Sequence, residues 1–206
     1  MIICIGSKTG KLNLPREEEL IGKGVSYCAT CDGPFFRNKN VAVIGDGYEA
    51  IREAIYLADV VNDTYLISPK GTLTGDEMDL DMIKDKNIKT LMNTEVKQIL
   101  GDEKVKALKL FDNSKNEEIY LDVDGIFIAL ESAPTSLLLK NAGIEVDEKG
   151  FILVDRKQKT NIDGVYAAGD CTGGLLQIVT ATGEGAIAGY NAAIYASQLK
   201  RTLNKT

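Results

Sequence analysis

Apolar positions follow two rhythms along this chain. Short unbroken runs, Val41-Ala42-Val43-Ile44 above all, predict strands covered on both faces. A helical spacing of Ile51, Ala54, Ile55 and Ala58 predicts a helix over Tyr48 to Ala58 with one apolar face. Thr64 to Ile67 then reads as a second strand, which completes a strand-helix-strand unit. Asp76 to Lys84 has the acidic start of a short helix, and Ile88 to Met92 reads as a parallel strand. Glu95 to Leu100, Val105 to Phe111 and Glu118 to Leu121 predict an antiparallel meander joined by Gly101-Asp102 and Asp112-Asn113 turns, after which Ile126 to Ala129 returns as a buried strand.

The ends of the chain carry sparser signals. Ile2 to Ile5 reads as a short buried central strand, and Glu17 to Leu20 as a single helical turn before Gly22 and Gly24. Beyond Glu131, Ser136 to Asn141 predicts a short helix, while Ile152 to Val154 and Val165 to Ala168 predict strands. A helix led by Thr182 or Gly183 runs through Leu199. It is rich in glycine and alanine, as close packing on a sheet or against a flat ligand would require.

Composition narrows the class without naming a function. The 206 residues carry 44% apolar and 26% charged residues and a net charge of −6. That balance is ordinary for a soluble protein and argues against nucleic acid or an anionic membrane as partner. No basic leader, cleavage site or membrane span is expected, and a cytoplasmic chain fits best. There is no histidine and there are four cysteines, too few for a disulfide-stapled scaffold.

Two of those cysteines stand in Cys28-Ala29-Thr30-Cys31-Asp32. A pair three apart can close a small disulfide or act as a dithiol, and a carboxyl group directly after it can balance the proton of thiolate exchange. Half of a zinc site and inert packing are the bland alternatives, although no second CxxC exists to complete the former. Cys4 and Cys171 stand alone, the latter as a packing residue.

Gly45-Asp46-Gly47-Tyr48-Glu49-Ala50 is a GxGxxA that follows a strand and opens a helix. Gly45 and Gly47 would admit the turn and a pyrophosphate, and Ala50 a close helix-sheet contact; a plain scaffold turn is the alternative. At the end of the next strand, where a nucleotide ribose would be read, stands Ser68-Pro69-Lys70-Gly71, neither acidic nor arginine-rich. Gly169-Asp170 ends another apolar strand, and a helix N-terminus follows in Gln177 to Gly185.

Taken together, Gly24 to Gly33 around the cysteines, the GxGxxA, Gly164-Val165-Tyr166-Ala167-Ala168-Gly169-Asp170 and Ala181-Thr182-Gly183-Glu184-Gly185 resemble the low-molecular-weight thioredoxin reductases of bacteria and archaea, flavoproteins of the pyridine nucleotide-disulfide oxidoreductase class. The resemblance implies an α/β fold: a Rossmann-like nucleotide-binding domain with three-layer sandwich character, plus the C-terminal part of a split FAD-binding domain. Residues 1–23 would be the remnant and linker of the FAD domain, 24–130 the inserted NAD(P)-binding-like domain carrying the CxxC, and 131–206 the FAD domain's C-terminal segment. It further implies that Cys31 faces the flavin and receives its electrons, Cys28 attacks the disulfide of thioredoxin, and Asp32 serves as acid and base. Gly169 and Asp170 would lie at the FAD ribityl chain, Gln177 and Ile178 near the isoalloxazine, and Gly45, Gly47 and Ala50 at the second dinucleotide.

By the same resemblance the complete form is a homodimer whose inserted domain rotates about linkers near Gly22 and at Ala129–Ala133. The family's N-terminal third, with its first phosphate cradle, is missing from the sequence, so FAD binding is expected to be compromised in this chain alone. An N-terminally truncated fragment or subunit that needs a separate FAD-binding half is the corresponding alternative. The electron donor stays open among NADPH, NADH and reduced deazaflavin, because Ser68-Pro69-Lys70 replaces an arginine-rich stretch. The acceptor stays open between thioredoxin and another thioredoxin-like or peroxiredoxin-like protein.

Overall fold

The computed structural model describes residues 1–8, 10–130, 133–134, 139 and 141–204. In chain order the elements are β1 (Ile2–Ile3), β2 (Ser7–Lys8), β3 (Val25–Ser26), α1 (Ala29–Asp32), β4 (Asn40–Ile44), α2 (Tyr48–Ala58), β5 (Asp63–Ile67), α3 (Glu77–Asp85), β6 (Lys89–Leu91), β7 (Thr94–Leu100), β8 (Ala107–Asp112), β9 (Glu117–Asp122), β10 (Gly125–Ile128), β11 (Ala133–Pro134), β12 (Tyr166–Ala167) and α4 (Ile178–Leu203). They form two compact units, one of residues 9–131 and one of residues 1–8 with 132–206.

The central unit is a three-layer Rossmann-like sandwich. Its middle layer is a five-stranded parallel sheet in the order β3-β10-β4-β5-β6. Successive residues of β4 point to opposite faces, so Val41 and Val43 join Phe127 and the helix residues Ala50, Ile51, Ala54 and Leu57 in one core. Ala42 and Ile44, with Ile126 and Ile128, join Ile99, Leu108 and Leu110 of the antiparallel β7-β8-β9 sheet in the other. Both faces are dry, which is why the central strands read as unbroken apolar runs. The predicted α2 span matches the observed one, and the side chain of Asp76 caps α3 by accepting the Asp79 N–H at 2.8 Å.

The boundary of this unit lies earlier than residue 24. Leu20 is 1% exposed in the same core as Val25, and the buried Glu17 accepts the Tyr27 hydroxyl at 2.7 Å and the Leu12 and Leu14 amides. Arg16 also donates to the carbonyl of Gly101. Residues 10–23 are thus held by side-chain contacts that a linker would lack.

In the second unit β1 runs parallel to β12, pairing Ile2 with Tyr166 and Ile3 with Ala167. Only Ile3 of the Ile2–Ile5 run is buried; Ile2 and Ile5 are exposed, because β1 has a strand on one side only among the described residues. Ile152 makes a single bridge to Val146 where a strand was expected over Ile152–Val154. Of the expected helix at Ser136–Asn141 only Leu139 and Asn141 are described, and part of the expected hinge at Ala129–Ala133 lies outside the described residues. The C-terminal helix begins at Ile178, four residues before the expected Thr182, because Gln177 in extended backbone and Thr180 cap each other's amides in a capping box. Among the described residues no helix is long and apolar enough to cross a membrane.

Candidate active site

The cysteine pair sits at the carboxyl end of the parallel sheet, where β3 turns into α1. Cys28 and Cys31 form a disulfide with their Cα atoms 5.3 Å apart. Cys28 has extended backbone and occupies the N-cap of α1, and its sulfur accepts the Cys31 N–H at 3.2 Å. The Thr30 hydroxyl lies 3.4 Å from the same sulfur. Donors so placed favour a thiolate on Cys28 once the disulfide opens, since both bond more strongly to a charged sulfur than to a neutral one. Cys31 is exposed and Cys28 half-buried.

Asp32 is oriented by a residue that sequence reasoning did not single out. The Ser26 hydroxyl donates to Asp32 Oδ2 at 2.6 Å, and its oxygen accepts the Cys28 N–H at 3.1 Å. Ser26 is 4% exposed on β3, in register with Phe127 of β10, so the hydroxyl is fixed by the sheet. Its adjacency to the CxxC was the one signal available. Past Asp32 the chain makes a 3₁₀ turn over Gly33–Phe36. A Cβ on Gly33 would lie 2.9 Å from Leu57, so this turn presses directly on α2. Phe36 then meets Phe127 edge to face with ring centres 5.4 Å apart. A cavity of about 320 Å³ opens beside Asp32, rimmed by Lys23, Lys39 and Lys104 and by the exposed ring of Phe35.

A second residue reaches the site from α2. Glu53 Oε1 accepts the Ala29 N–H at 3.1 Å, and burial pushes its carboxyl up to about 7, partly offset by that amide and reinforced by the like charge of Glu49. A glutamate on the apolar stripe of Ala50, Ala54 and Leu57 was the sequence signal for it.

The GxGxxA turn lies between β4 and α2. A Cβ on Gly45 would sit 2.3 Å from the Ala129 carbonyl and 2.7 Å from Ala50 Cβ, so Gly45 and the fully buried Ala50 are both required by packing. Gly47 has ordinary extended backbone at the helix N-cap, so nothing in its own conformation demands glycine. Asp46 of this turn pairs with Lys70 at 2.6 Å, and Ser68 is fully buried, bonding the Lys70 amide at 3.0 Å.

The remaining expected residues gather in the second unit. Gly169, Asp170, Gln177 and Ile178 line one cavity of about 310 Å³ together with Cys4 and Gly6. Gly169 has φ +81, a left-handed conformation, and its N–H is held at 2.7 Å by Glu184, which also accepts the Thr172 hydroxyl at 3.2 Å. Glu184 thereby locks the turn that presents Asp170. The Gln177 side chain is engaged in capping α4, while Ile178 is 88% exposed. Cys171 is buried with its thiol on the Ala168 carbonyl, 3.3 Å away, and burial pushes that thiol up.

This arrangement can be set beside known proteins. The family model described as pyridine nucleotide-disulphide oxidoreductase matches residues 1–185. The chain belongs to this family. Among its relatives, the thioredoxin reductase of Listeria innocua is 39% identical over 206 residues, covering 98% of this chain and 64% of the relative. Staphylococcus aureus has an alkyl hydroperoxide reductase subunit that is 40% identical over 197 residues, covering 95% of this chain and 39% of the relative. The thioredoxin reductase structure from Streptococcus pyogenes superposes with a TM-score of 0.87 at 33% identity, covering 96% of this chain and 65% of that one. The chain thus spans just under two thirds of the length of the thioredoxin reductases it matches. The oxidoreductase fold and the disulfide expected for this family are both present.

Proposed function

We propose that this chain is the disulfide-carrying part of a thioredoxin-disulfide reductase, passing electrons through Cys28 and Cys31 to thioredoxin or a thioredoxin-like acceptor. The observation that carries the reading is the closed Cys28–Cys31 disulfide with Asp32 held beside it by Ser26.

The family's cofactor is FAD, and the cavity at Gly6, Gly169, Asp170 and Gln177 suits its isoalloxazine and ribityl portion: glycine backbone permits close approach, and Asp170 offers a carboxylate for a hydroxyl. A flavin bound there would supply the two electrons that reduction of a disulfide requires. Lys70 is the cation that Ser68-Pro69-Lys70 brings to the nucleotide end of β5, and it is paired with Asp46. That supports NADH or reduced deazaflavin over NADPH as donor, since a 2′-phosphate meets no arginine there.

The chain's own residues carry the transfer from the dithiol onward. Cys28, as thiolate, attacks the acceptor disulfide, forming a Cys28–acceptor bond and releasing one acceptor sulfur as thiolate. Cys31 then attacks the Cys28 sulfur, closes the Cys28–Cys31 bond and releases the second. Asp32 takes the proton that leaves the Cys28 thiol as the thiolate forms and returns it to the first leaving sulfur, and the Cys31 proton passes to the second.

Reduced Cys31→Ser chain, mixed with oxidised thioredoxin, should give a covalent adduct that maps to Cys28 and that Cys28→Ser lacks. No adduct with thioredoxin would overturn the assignment. The likeness to a component of an alkyl hydroperoxide reductase favours a second acceptor class, a peroxiredoxin-like protein, and the same trap run with such a protein tests it. Adding FAD and desalting reads cofactor retention in parallel.

A further inference from the structure

Glu53 has no part in the transfer described above, yet its setting is unusual for a carboxylate. It lies three residues after Ala50 and four before Leu57, both fully buried, and so rides on the packed edge of α2. Its Oε1 holds the amide of Ala29, the peptide directly after Cys28. Its Oε2 is shut off from solvent and has no hydrogen-bond partner among the described residues. Burial disfavours the charged form and pushes the carboxyl up to about 7, with the Ala29 amide opposing the rise and the charge of Glu49 adding to it.

Titratable groups stand on several of the elements packed against α2. α1 brings the Cys28–Cys31 pair and Asp32, the latter bonded to Ser26. α3 carries Glu77, Asp79, Asp81, Lys84 and Asp85, with Asp79 paired to Arg52 at 3.1 Å and Asp81 to Lys84 at 3.0 Å, and β5 carries Tyr65 and Asp63, the latter paired to Lys89 at 2.8 Å. β4 contributes apolar side chains to this face, and α2 itself adds Glu49. No cation is paired with Glu53 among the described residues; Arg52, next to it on α2, pairs with Asp76 and Asp79.

We propose that Glu53 is a positioning residue for the dithiol: through the Ala29 amide it fixes the start of α1 on α2, and by gaining or losing its own proton it sets the charge beside the peptide that follows Cys28. The inference rests on the reading of Cys28 and Cys31 as an exchanging pair. With Glu53 neutral, the Cys28 thiolate forms without a negative neighbour on that side. With Glu53 ionised the two negative charges oppose each other, and the two groups titrate as a coupled pair. Cys28 therefore ionises in two stages. Glu53→Gln keeps a carbonyl oxygen for the Ala29 amide but cannot ionise, so its Cys28 ionises in one.

The test uses the full chain reduced with dithiothreitol and alkylated with iodoacetamide between about pH 5.5 and about pH 9.5. Fragment mass spectrometry follows Cys28 separately from Cys31. The wild-type rate is expected to rise in two stages with an inflection near neutral pH. Glu53→Gln should rise in one stage and react about tenfold faster just above that inflection. A single-stage wild-type profile, or a Glu53→Gln profile that superimposes on it, overturns the proposal. The first criterion holds even if the variant does not fold. Failure of dithiothreitol to open the Cys28–Cys31 bond in the wild type would instead overturn the exchange reading, and this proposal with it.

Discussion

Ser26→Ala is the substitution that most directly connects fold to chemistry here. The hydroxyl donates to Asp32 at 2.6 Å and accepts the Cys28 amide at 3.1 Å from a position that is 4% exposed. A hydrogen bond to a charged group contributes about 1.5–3 kcal/mol, and an amide left without an acceptor adds a desolvation cost of similar order. Asp32 is half-exposed, so water replaces part of what it loses, and the net cost should be about 2 kcal/mol. For a chain of this length that corresponds to a fall in Tm of roughly 4–8 °C. The decisive form is a cycle of Ser26→Ala, Asp32→Ala and the double variant, followed by thermal unfolding of the oxidised protein. If the two side chains act as a unit, the double variant should cost about 1–2 kcal/mol less than the sum of the singles. Disulfide exchange with the acceptor should slow by about tenfold in Ser26→Ala, because a carboxyl free to turn away delivers protons less efficiently. Costs that add to within about 0.5 kcal/mol would refute the pairing. A destabilised variant that still exchanges at the wild-type rate would refute its link to proton delivery.

Gly45→Ala must push its Cβ into the Ala129 carbonyl, 2.3 Å away, and should destabilise the central unit by at least about 2 kcal/mol; a denaturation midpoint equal to wild type would show that the turn can relax. Phe127→Ala removes a fully buried ring together with its edge contact to Phe36 and should cost about 3–5 kcal/mol in the same titration, unless the helix layer collapses onto the space. The raised Glu53 carboxyl predicts a pH dependence of stability. Because the folded form holds its proton up to about pH 7 and the unfolded form releases it near the ordinary value of 4.5, stability present below 4.5 is lost as pH rises through 7, by at most about 3 kcal/mol, and Glu53→Gln should flatten that part of a Tm-against-pH curve.

What could be read from the residues alone follows from where each signal is local. The span of α2 was legible because β4 before it is an unbroken apolar run and the Gly45–Gly47 turn separates the two rhythms cleanly. The meander was legible because β8 alternates Leu108 and Leu110, both buried, with Lys109, which faces out to Glu118. The start of α4 was not, because Ile178-Val179-Thr180-Ala181-Thr182 is dominated by β-branched residues with a weak preference for helix, and a Gln–Thr capping box overrides it. The attachment of residues 10–23 was equally hidden: it depends on Glu17 finding Tyr27 and on Leu20 finding Val25, contacts that no period reveals.

The site divides in the same way. Cys28, Cys31 and Asp32 lie within five residues and announce their chemistry through spacing, whereas Ser26 and Glu53 matter only because β3 and α2 bring them to α1. Gly45 shows the opposite risk. Its motif reads as a nucleotide cradle, yet contacts with Ala129 and Ala50 already demand glycine there, so the residue would be required even in a chain that had lost its nucleotide. Gly47 carries no such demand, and Asp46 holds Lys70 across the turn. The electron donor is therefore better tested at Asp46 and Lys70 than at Gly45, whose replacement would confuse loss of binding with loss of fold.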